Sequence, residues 1–190
     1  ELIKSKKNYS IISEEAGFIK NKDLDNVWII DPIDGTLNFL HGVPHFAISI
    51  ALKSNNEIIS GLIFDPIKDE MFFAEKNSGA FLNNQRIKVS KKKNINTCLF
   101  ATGGKDKSSV DLTTRKSGSA ALDMAYVAAG RYDGYFQSNL NIWDIAAGIV
   151  IVKESGGIVS EIDLIKNDYI DIKAASSAIN EKMLEILKNF

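Results

Sequence analysis

The chain has 190 residues, of which 45% are hydrophobic and 25% charged, and its formal net charge is −1. This composition is typical of a folded globular protein and argues against extensive disorder. A net charge so close to zero excludes a general attraction to nucleic acid or anionic lipid, so an anionic substrate has to be bound by a local site.

The sequence shows no signal for membrane insertion or export. No stretch approaches the roughly 18 apolar residues that a membrane span requires, and the N-terminus lacks the pattern of a signal peptide. The single cysteine, Cys98, lies in an apolar run and cannot form an intrachain disulfide, so we expect a small buried side chain. These features predict a cytoplasmic protein without a membrane partner.

The first half of the chain predicts an antiparallel sheet. Residues 1–7 look like the end of a helix that starts earlier, so we expect the sequence to be a fragment of a longer protein. Five runs of apolar and β-branched residues follow, separated by turn signals such as Asp65-Pro66 and Asn83-Asn84. The predicted strands are 27–31, 46–52, 57–64, 70–74 and 86–89.

The second half, 101–190, alternates helices with short strands, which indicates an α/β layer. Helices are predicted over 119–130, 144–153 and 180–188, and the first two end at glycines. Strands are predicted around Cys98 and at 133–136, 158–159 and 172–174. We see no linker, so we expect 1–190 to be one unit made of the halves 1–100 and 101–190.

The most informative motif directly follows the first predicted strand. Asp31, Asp34, Gly35 and Thr36 lie within six residues. Carboxylate oxygens are the ligands that Mg²⁺ prefers, and a helix start presents free N–H groups to an anion. An Asp-Gly turn with a helix cap is the structural alternative. Further acidic motifs, Glu14-Glu15 upstream and Trp143-Asp144 downstream, favour a metal and phosphate site.

Three motifs in the same order give the chain a close resemblance to the inositol monophosphatase family. They are Asp-Pro-Ile-Asp-Gly-Thr-x-Asn-Phe at 31–39, Glu14-Glu15, and Trp-Asp-x-Ala-Ala-Gly at 143–148. Segments 115–122 and 154–157 are also similar to the family. The resemblance implies an α/β fold, the layered αβαβα sandwich of the Mg²⁺-dependent, lithium-sensitive phosphatases.

The resemblance also implies the site residues. Two or three Mg²⁺ ions would be held by Glu14, Asp31, the carbonyl of Ile33, Asp34 and Asp144. Glu14, Asp31 and Thr36 would be catalytic, with Glu14 orienting or deprotonating the attacking water and the Thr36 hydroxyl as its partner. The residues implied in binding substrate and phosphate are Gly35, Thr36, Gly118, Ser119, Ala120, Gln137 and Asp144.

The implied reaction is hydrolysis of a small polyol or sugar phosphate monoester, with inositol monophosphate as the first substrate. Two Mg²⁺ ions roughly 3.5–4 Å apart can clamp a phosphoryl group and activate water. Gln137 stands where inositol-phosphate enzymes usually carry a glutamate, and an amide lacks the charge and adds two donors. Fructose bisphosphate, histidinol phosphate, NADP and adenosine bisphosphate are therefore alternative substrates, although residues 37–39 favour the inositol-phosphate branch.

Two other interpretations stay open. Some bacterial members of this family serve as regulatory partners of the RNA polymerase and ribosomal-RNA-processing machinery, with catalysis dispensable. A binding module without catalysis is the other, and the full set of carboxylates argues against it. A zinc site at His41 and His45 is disfavoured because Pro44 would break the helix that aligns them.

The resemblance further implies a homodimer and two departures in length. The family's N-terminal helical hairpin is missing before Glu1, and segment 104–115 is shorter than usual. A chain that began at Glu1 would expose apolar surface, so we expect it to be inactive and assign the activity to the full protein.

Overall fold

Two β-sheets with a pair of helices between them form the architecture of the computed structural model, which describes residues 6–103, 112–163 and 169–189. The predicted helix end at 1–7 lies mostly outside these residues, and its last two residues form a turn. The predicted segment 104–115 is described only from residue 112 onward.

The first sheet has eight strands in the order β2-β1-β3-β4-β5-β6-β7-β8. Neighbouring strands are antiparallel except β1 and β3, which run parallel. The predicted antiparallel sheet is therefore observed. The strands are β1 Tyr9–Ser13, β2 Gly17–Ile19, β3 Asp23–Asp34, β4 Ala47–Ser54, β5 Glu57–Asp65, β6 Glu70–Glu75, β7 Gly79–Leu82 and β8 Gln85–Arg86.

Four of these strands differ from the sequence prediction. Strands β1 and β2 were not predicted, and the predicted strand 86–89 is replaced by the hairpin of β7 and β8. Asn83 and Asn84 form its two-residue turn, both with positive φ of 45° and 66°, which suits the twist of a hairpin. Because the turn falls at Asn83 and Asn84, the longer strand of the hairpin precedes it and only the two residues of β8 follow it.

The second sheet has five strands in the order β10-β9-β11-β13-β12. It is mixed, because β9 runs parallel to β10 and β11 whereas β13 runs antiparallel to β11 and β12. The predicted α/β character of this half is observed, but β10 was not predicted. The strands are β9 Phe100–Ala101, β10 Thr114–Arg115, β11 Gly134–Leu140, β12 Gly157–Val159 and β13 Ile170–Ser176.

Four α-helices occur in the described part of the chain. Helix α2 begins after Ser119, whose side-chain oxygen accepts a hydrogen bond from the Leu122 N–H at 3.3 Å, as expected for an N-cap. None of the described helices combines the length and apolar character needed to cross a lipid bilayer. The helices are α1 Thr36–Leu40, α2 Ala120–Ala128, α3 Ile142–Glu154 and α4 Asn180–Ile186, with 3₁₀ turns at Ile95–Thr97 and Leu187–Asn189.

Helix α3 is the central element, because residues 145–152 are all buried. Its fit depends on two glycines. A Cβ at Gly61 of β5 would lie 2.6 Å from the Ala147 carbonyl oxygen, and one at Gly148 would lie 2.6 Å from Met124 Cβ in α2. Both contacts are closer than a side chain tolerates, so α3 lies against β5 and α2 at backbone distance.

The core lies on both sides of the second sheet. The larger cluster joins the inner face of the first sheet, including Ile29 and Phe72, to α2, α3 and Tyr135. The smaller cluster contains Phe136, Met183 and the buried, free Cys98, and it packs under α4. The predicted layered α/β fold is confirmed, and the burial of Cys98 is as expected.

Candidate metal centre

Three carboxylates from two elements meet at one point. Asp31 and Asp34 lie at the end of β3, and Asp144 lies in the first turn of α3. One oxygen of each lies within 4.8 Å of the others. Residues three apart on a regular strand point to opposite faces, but the pairing of β3 with β4 shifts between Asp31 and Asp34. This irregularity brings both side chains to the same site.

Each carboxylate is held by a hydrogen bond to one of its oxygens. Asp31 Oδ1 accepts from the Ile33 N–H at 2.9 Å, and Asp144 Oδ2 accepts from the Asn141 N–H at 2.8 Å. Asp34 Oδ2 accepts from the Ala121 N–H at 3.0 Å and from the Ser119 hydroxyl. One oxygen of each group is left for another ligand.

The site carries negative charge that the described residues do not neutralise. Burial, followed by the charges of Asp34 and Glu14, raises the pKa of Asp31 to about 8. Burial also raises the pKa of Asp34 to about 7 and that of Asp144 to about 6. In the described part of the chain no lysine or arginine forms an ion pair with them. Buried like charges without a partner are unfavourable, and a hard divalent cation fits this set of oxygen donors.

Glu14 approaches this cluster from the neighbouring strand. It follows β1, which runs parallel to β3 with Ser13 opposite Ile30, and the Glu14 N–H donates to the Ile30 carbonyl at 3.3 Å. Its charge raises the pKa of Asp31 and Asp144. Glu14 is exposed and lies outside the group of three, so the structure brings three of the four predicted carboxylates together with the fourth nearby.

The predicted carbonyl ligand and the predicted catalytic hydroxyl contact each other. Thr36 Oγ1 donates to the Ile33 carbonyl oxygen at 2.9 Å. The family resemblance implied Glu14 as the partner of this hydroxyl, whereas in the structure the hydroxyl donates to the backbone. Thr36 begins the five-residue helix α1, directly after Gly35, which has a φ of 87°. Only glycine adopts this conformation without strain.

The segment before α2 packs against this loop. A Cβ at Gly35 would lie 3.2 Å from the carbonyl oxygens of Gly118 and His45. Asn38 Nδ2 donates to the His45 carbonyl at 2.8 Å and to the Ser117 carbonyl at 2.9 Å. Asn38 therefore joins the motif to the start of α2. The sequence analysis gave it no role, although it is part of the matched motif.

The predicted substrate residues around α2 take different positions. Gly118 is exposed and lies against Asn38. Ser119 and Ala120 are buried, and the Ser119 hydroxyl contacts Asp34 while its oxygen caps the helix. Ser119 therefore supports a carboxylate of the cluster, a contact that the sequence analysis did not predict.

Two buried polar residues near the cluster were also not predicted. Asp123 in α2 is 1% exposed, and burial raises its pKa well above the ordinary value. Tyr135 is fully buried and its hydroxyl donates to Gln137 Oε1 at 2.8 Å. Burial and the charges of Asp123, Asp34 and Asp144 raise the pKa of Tyr135. The alternation of residues along β11 is the signal that could have placed Tyr135 and Gln137 on one face.

The two histidines lie in different surroundings. His41 is exposed at the end of α1, whereas His45 is half-buried with its ring 6.0 Å from that of Tyr126. Among the described residues, Asp31, Asp34 and Asp144 are the one group arranged for metal binding.

Comparison with known proteins gives a consistent result. The sequence model of the inositol monophosphatase family matches residues 2–189. An inositol-1-monophosphatase from Rhizobium meliloti is 43% identical over 172 residues, which cover 83% of this chain and 65% of the relative. A Nus factor SuhB from Haemophilus influenzae is 41% identical over 203 residues, which cover 97% of this chain and 76% of the relative.

A solved structure shares the fold. The extragenic suppressor protein SuhB from Bartonella henselae superposes with a TM-score of 0.91 at 40% identity, and the match covers 98% of this chain and 78% of that chain. The present chain thus spans about two thirds to four fifths of the length of these proteins.

Proposed function

This chain belongs to the inositol monophosphatase family, which includes relatives named inositol-1-monophosphatase, a phosphoric monoester hydrolase. From that membership we propose that the chain hydrolyses a small polyol or sugar phosphate monoester in the presence of Mg²⁺. Inositol monophosphate is the first candidate substrate. The observation that carries the proposal is the cluster of Asp31, Asp34 and Asp144, because buried carboxylates with raised pKa values form a site for a divalent cation.

Five groups would hold two or three Mg²⁺ ions: the three clustered carboxylates, the carboxylate of Glu14 and the carbonyl of Ile33. When bound, Mg²⁺ supplies charge neutralisation for the phosphate dianion and lowers the pKa of water. The free oxygens of the clustered carboxylates fit this purpose, since their other oxygens are used within the protein.

The residues of the chain would orient the reactants and move the proton. Glu14 is exposed beside Asp31 and can accept a proton from the attacking water, and the Thr36 hydroxyl can orient that water. The N–H groups of Gly35 and Thr36 would bind the phosphate together with Gly118 and the start of α2 at Ser119 and Ala120. Gln137 would contact the alcohol part of the substrate.

Phosphate release by the full-length protein tests this proposal. The substrates are inositol 1-phosphate, fructose 1,6-bisphosphate, histidinol phosphate, NADP and adenosine 3′,5′-bisphosphate, each with Mg²⁺ and with EDTA. We expect turnover in Mg²⁺ alone, and a loss of at least about a hundredfold in Asp34→Asn, since one ligand of the cluster is removed. Asp25→Asn is the matched control, because Asp25 is exposed at the start of β3. Absence of turnover on every substrate would contradict the proposal.

A second candidate function is regulatory. The Haemophilus influenzae relative bears the name Nus factor SuhB, which supports a role with the transcription and ribosomal-RNA-processing machinery, with catalysis dispensable. Capture of RNA polymerase from cell extract by both the wild type and Asp34→Asn would favour this role. If neither protein captures polymerase, the regulatory role is contradicted and the phosphatase proposal stands alone.

Three further properties complete the proposal. We expect a homodimer, which sedimentation at micromolar concentration would contradict if it showed monomers alone. We expect inhibition by lithium, which phosphate release in LiCl against KCl tests. A cytoplasmic location agrees with the buried free thiol of Cys98. In all of these, residues 1–190 act as part of one phosphatase unit.

A further inference from the structure

The side-chain amide of Gln137 is held in one orientation by a hydroxyl. The Tyr135 hydroxyl lies 2.8 Å from Gln137 Oε1, and Tyr135 is fully buried. This is the one hydrogen bond of that hydroxyl to the described residues. A buried donor without a partner is unfavourable, so the hydroxyl proton is directed at Oε1. One of the two lone pairs of Oε1 is therefore used, while the NH₂ group of Gln137 has no partner in the described part of the chain.

Gly103 limits the amide from another side. A Cβ at residue 103 would lie 2.0 Å from Oε1 and 2.9 Å from Nε2 of Gln137. The backbone of Gly103, just beyond β9, therefore lies directly against the amide group. Any larger residue at this position would force the Gln137 side chain to move.

The Tyr135 hydroxyl connects the amide with the side of the sheet that faces the carboxylate cluster. Tyr135 and Gln137 are two residues apart on β11, so both point toward the helical layer that carries Asp144. After burial and Asp123, the charges of Asp34 and Asp144 act on the Tyr135 hydroxyl. The amide is thus bonded to a hydroxyl that lies within electrostatic reach of the cluster, which supports the proposed contact of Gln137 with the alcohol part of a substrate.

We infer that Tyr135 and Gly103 are positioning residues that make Gln137 a fixed hydrogen-bond donor, so that the pocket favours phosphate monoesters whose alcohol part carries an anionic group. An NH₂ group bonds strongly to an anion, whereas the glutamate usual in inositol-phosphate enzymes would repel it and accept from hydroxyls. This inference rests on the proposed phosphatase function and narrows its substrate class.

Two monophosphates of nearly equal size test the inference. Glycerol 2-phosphate carries a hydroxymethyl group where 2-phosphoglycerate carries a carboxylate. We expect the full-length wild type to show the higher kcat/KM for 2-phosphoglycerate, mainly through KM. Gln137→Glu should reverse the preference by about tenfold or more, because a charge-assisted hydrogen bond is replaced by repulsion.

The positioning role is tested by variants that leave Gln137 in place. Tyr135→Phe removes the hydroxyl that fixes Oε1, and Gly103→Ala displaces the amide, so each should lower the preference for 2-phosphoglycerate several-fold. Tyr132→Phe is the matched control, since Tyr132 packs against Tyr126 with ring centres 5.6 Å apart, and it should keep the wild-type preference. A structural role of Tyr135 alone would lower stability without changing the ratio.

A binding measurement separates failure of this inference from failure of the proposed function. Calorimetric titration of the same two ligands, with Ca²⁺ in place of Mg²⁺, requires no turnover. Absence of phosphate release with tighter binding of 2-phosphoglycerate, weakened in Gln137→Glu and Tyr135→Phe, would contradict the phosphatase but support the donor site. The inference would be overturned if the wild type bound the two ligands equally or bound neither. It would also be overturned if the ratio of the two affinities stayed unchanged in both variants.

Discussion

The Ser119 hydroxyl donates a hydrogen bond to the Asp34 carboxylate, and this contact joins the start of α2 to the end of β3. The same oxygen accepts from the Leu122 N–H at the first turn of the helix. One side chain therefore holds both a helix cap and a carboxylate of the candidate metal centre.

Replacement of Ser119 should affect folding and metal binding together. We expect Ser119→Ala to lower the free energy of unfolding by about 1–2 kcal/mol through loss of the cap, and to weaken Mg²⁺ binding. Urea unfolding and a Mg²⁺ titration would measure the two effects. Ser119→Thr keeps the hydroxyl and should recover most of both, so equal behaviour of the two variants would contradict this role.

Without metal, the protein should become less stable as the pH rises. The native pKa values of Asp31 and Asp34, about 8 and about 7, lie above the ordinary value of 3.8. Between pH 3.8 and the native pKa of each carboxyl, the native state thus binds more protons than the unfolded state. The free energy of unfolding therefore falls with increasing pH in this range. The slope for each carboxyl is at most about 1.4 kcal/mol per pH unit.

Urea unfolding in EDTA between pH 6.5 and 8 would measure this slope. Burial lowers the pKa of His45 below 6.5, so its contribution has the opposite sign near pH 6.5 and fades as the pH rises toward 8. Saturating Mg²⁺ should flatten or reverse the slope, since it stabilises the ionised carboxylates. Asp34→Asn should reduce the slope in EDTA, whereas Asp25→Asn should not. Stability that increases with pH in EDTA would show that the cluster is ionised at low pH.

Loss of Asn38 should separate the motif loop from α2. Asn38→Ala leaves the His45 and Ser117 carbonyls without their donor, and we expect a loss of about 1–3 kcal/mol in the free energy of unfolding. We also expect a several-fold lower kcat/KM, because Gly35 and Gly118 lose their alignment. Asn96→Ala is the control, since Asn96 is exposed in a 3₁₀ turn. A variant as stable and active as that control would exclude this role.

A methyl group at Gly61 should disturb the metal centre through α3. The new Cβ would lie 2.6 Å from the Ala147 carbonyl oxygen and 2.8 Å from the Ala147 Cα. We expect Gly61→Ala to lower the free energy of unfolding by about 1–3 kcal/mol. It should also weaken Mg²⁺ binding, because the shift of α3 moves Asp144. Ser60→Ala in the same strand should change neither, and a Gly61→Ala protein with wild-type Mg²⁺ affinity would show that α3 adapts without moving Asp144.

The sequence predicted what depends on local pattern and matched motifs. Apolar runs between turn signals placed β4, β5 and β6, and the motifs singled out Asp31, Asp34 and Asp144 before any contact was known. Strands β1 and β10 form by pairing with other strands of their sheets. Their own sequences are short and partly polar, so no local pattern predicted them.

The supporting contacts of the site could not be predicted for a similar reason. Asn38 bonds to a carbonyl 79 residues away, and Ser119 bonds to a carboxylate 85 residues away. Such pairs follow from how the two sheets and α2 pack, which no periodicity encodes. The direction of the Gln137 amide also depends on the Tyr135 hydroxyl, whose position is known only once β11 is placed.

The buried course of α3 means that the helix that carries Asp144 should not open locally at low energy cost. Backbone amides in a helix enclosed from both sides exchange with solvent mainly when the whole domain unfolds, so those of residues 145–152 should be among the slowest to exchange. The contribution of Asp144 to metal binding would then follow global stability. In cells, substitutions anywhere in the layer between the two sheets would appear as partial loss of metal, even when they lie far from every carboxylate.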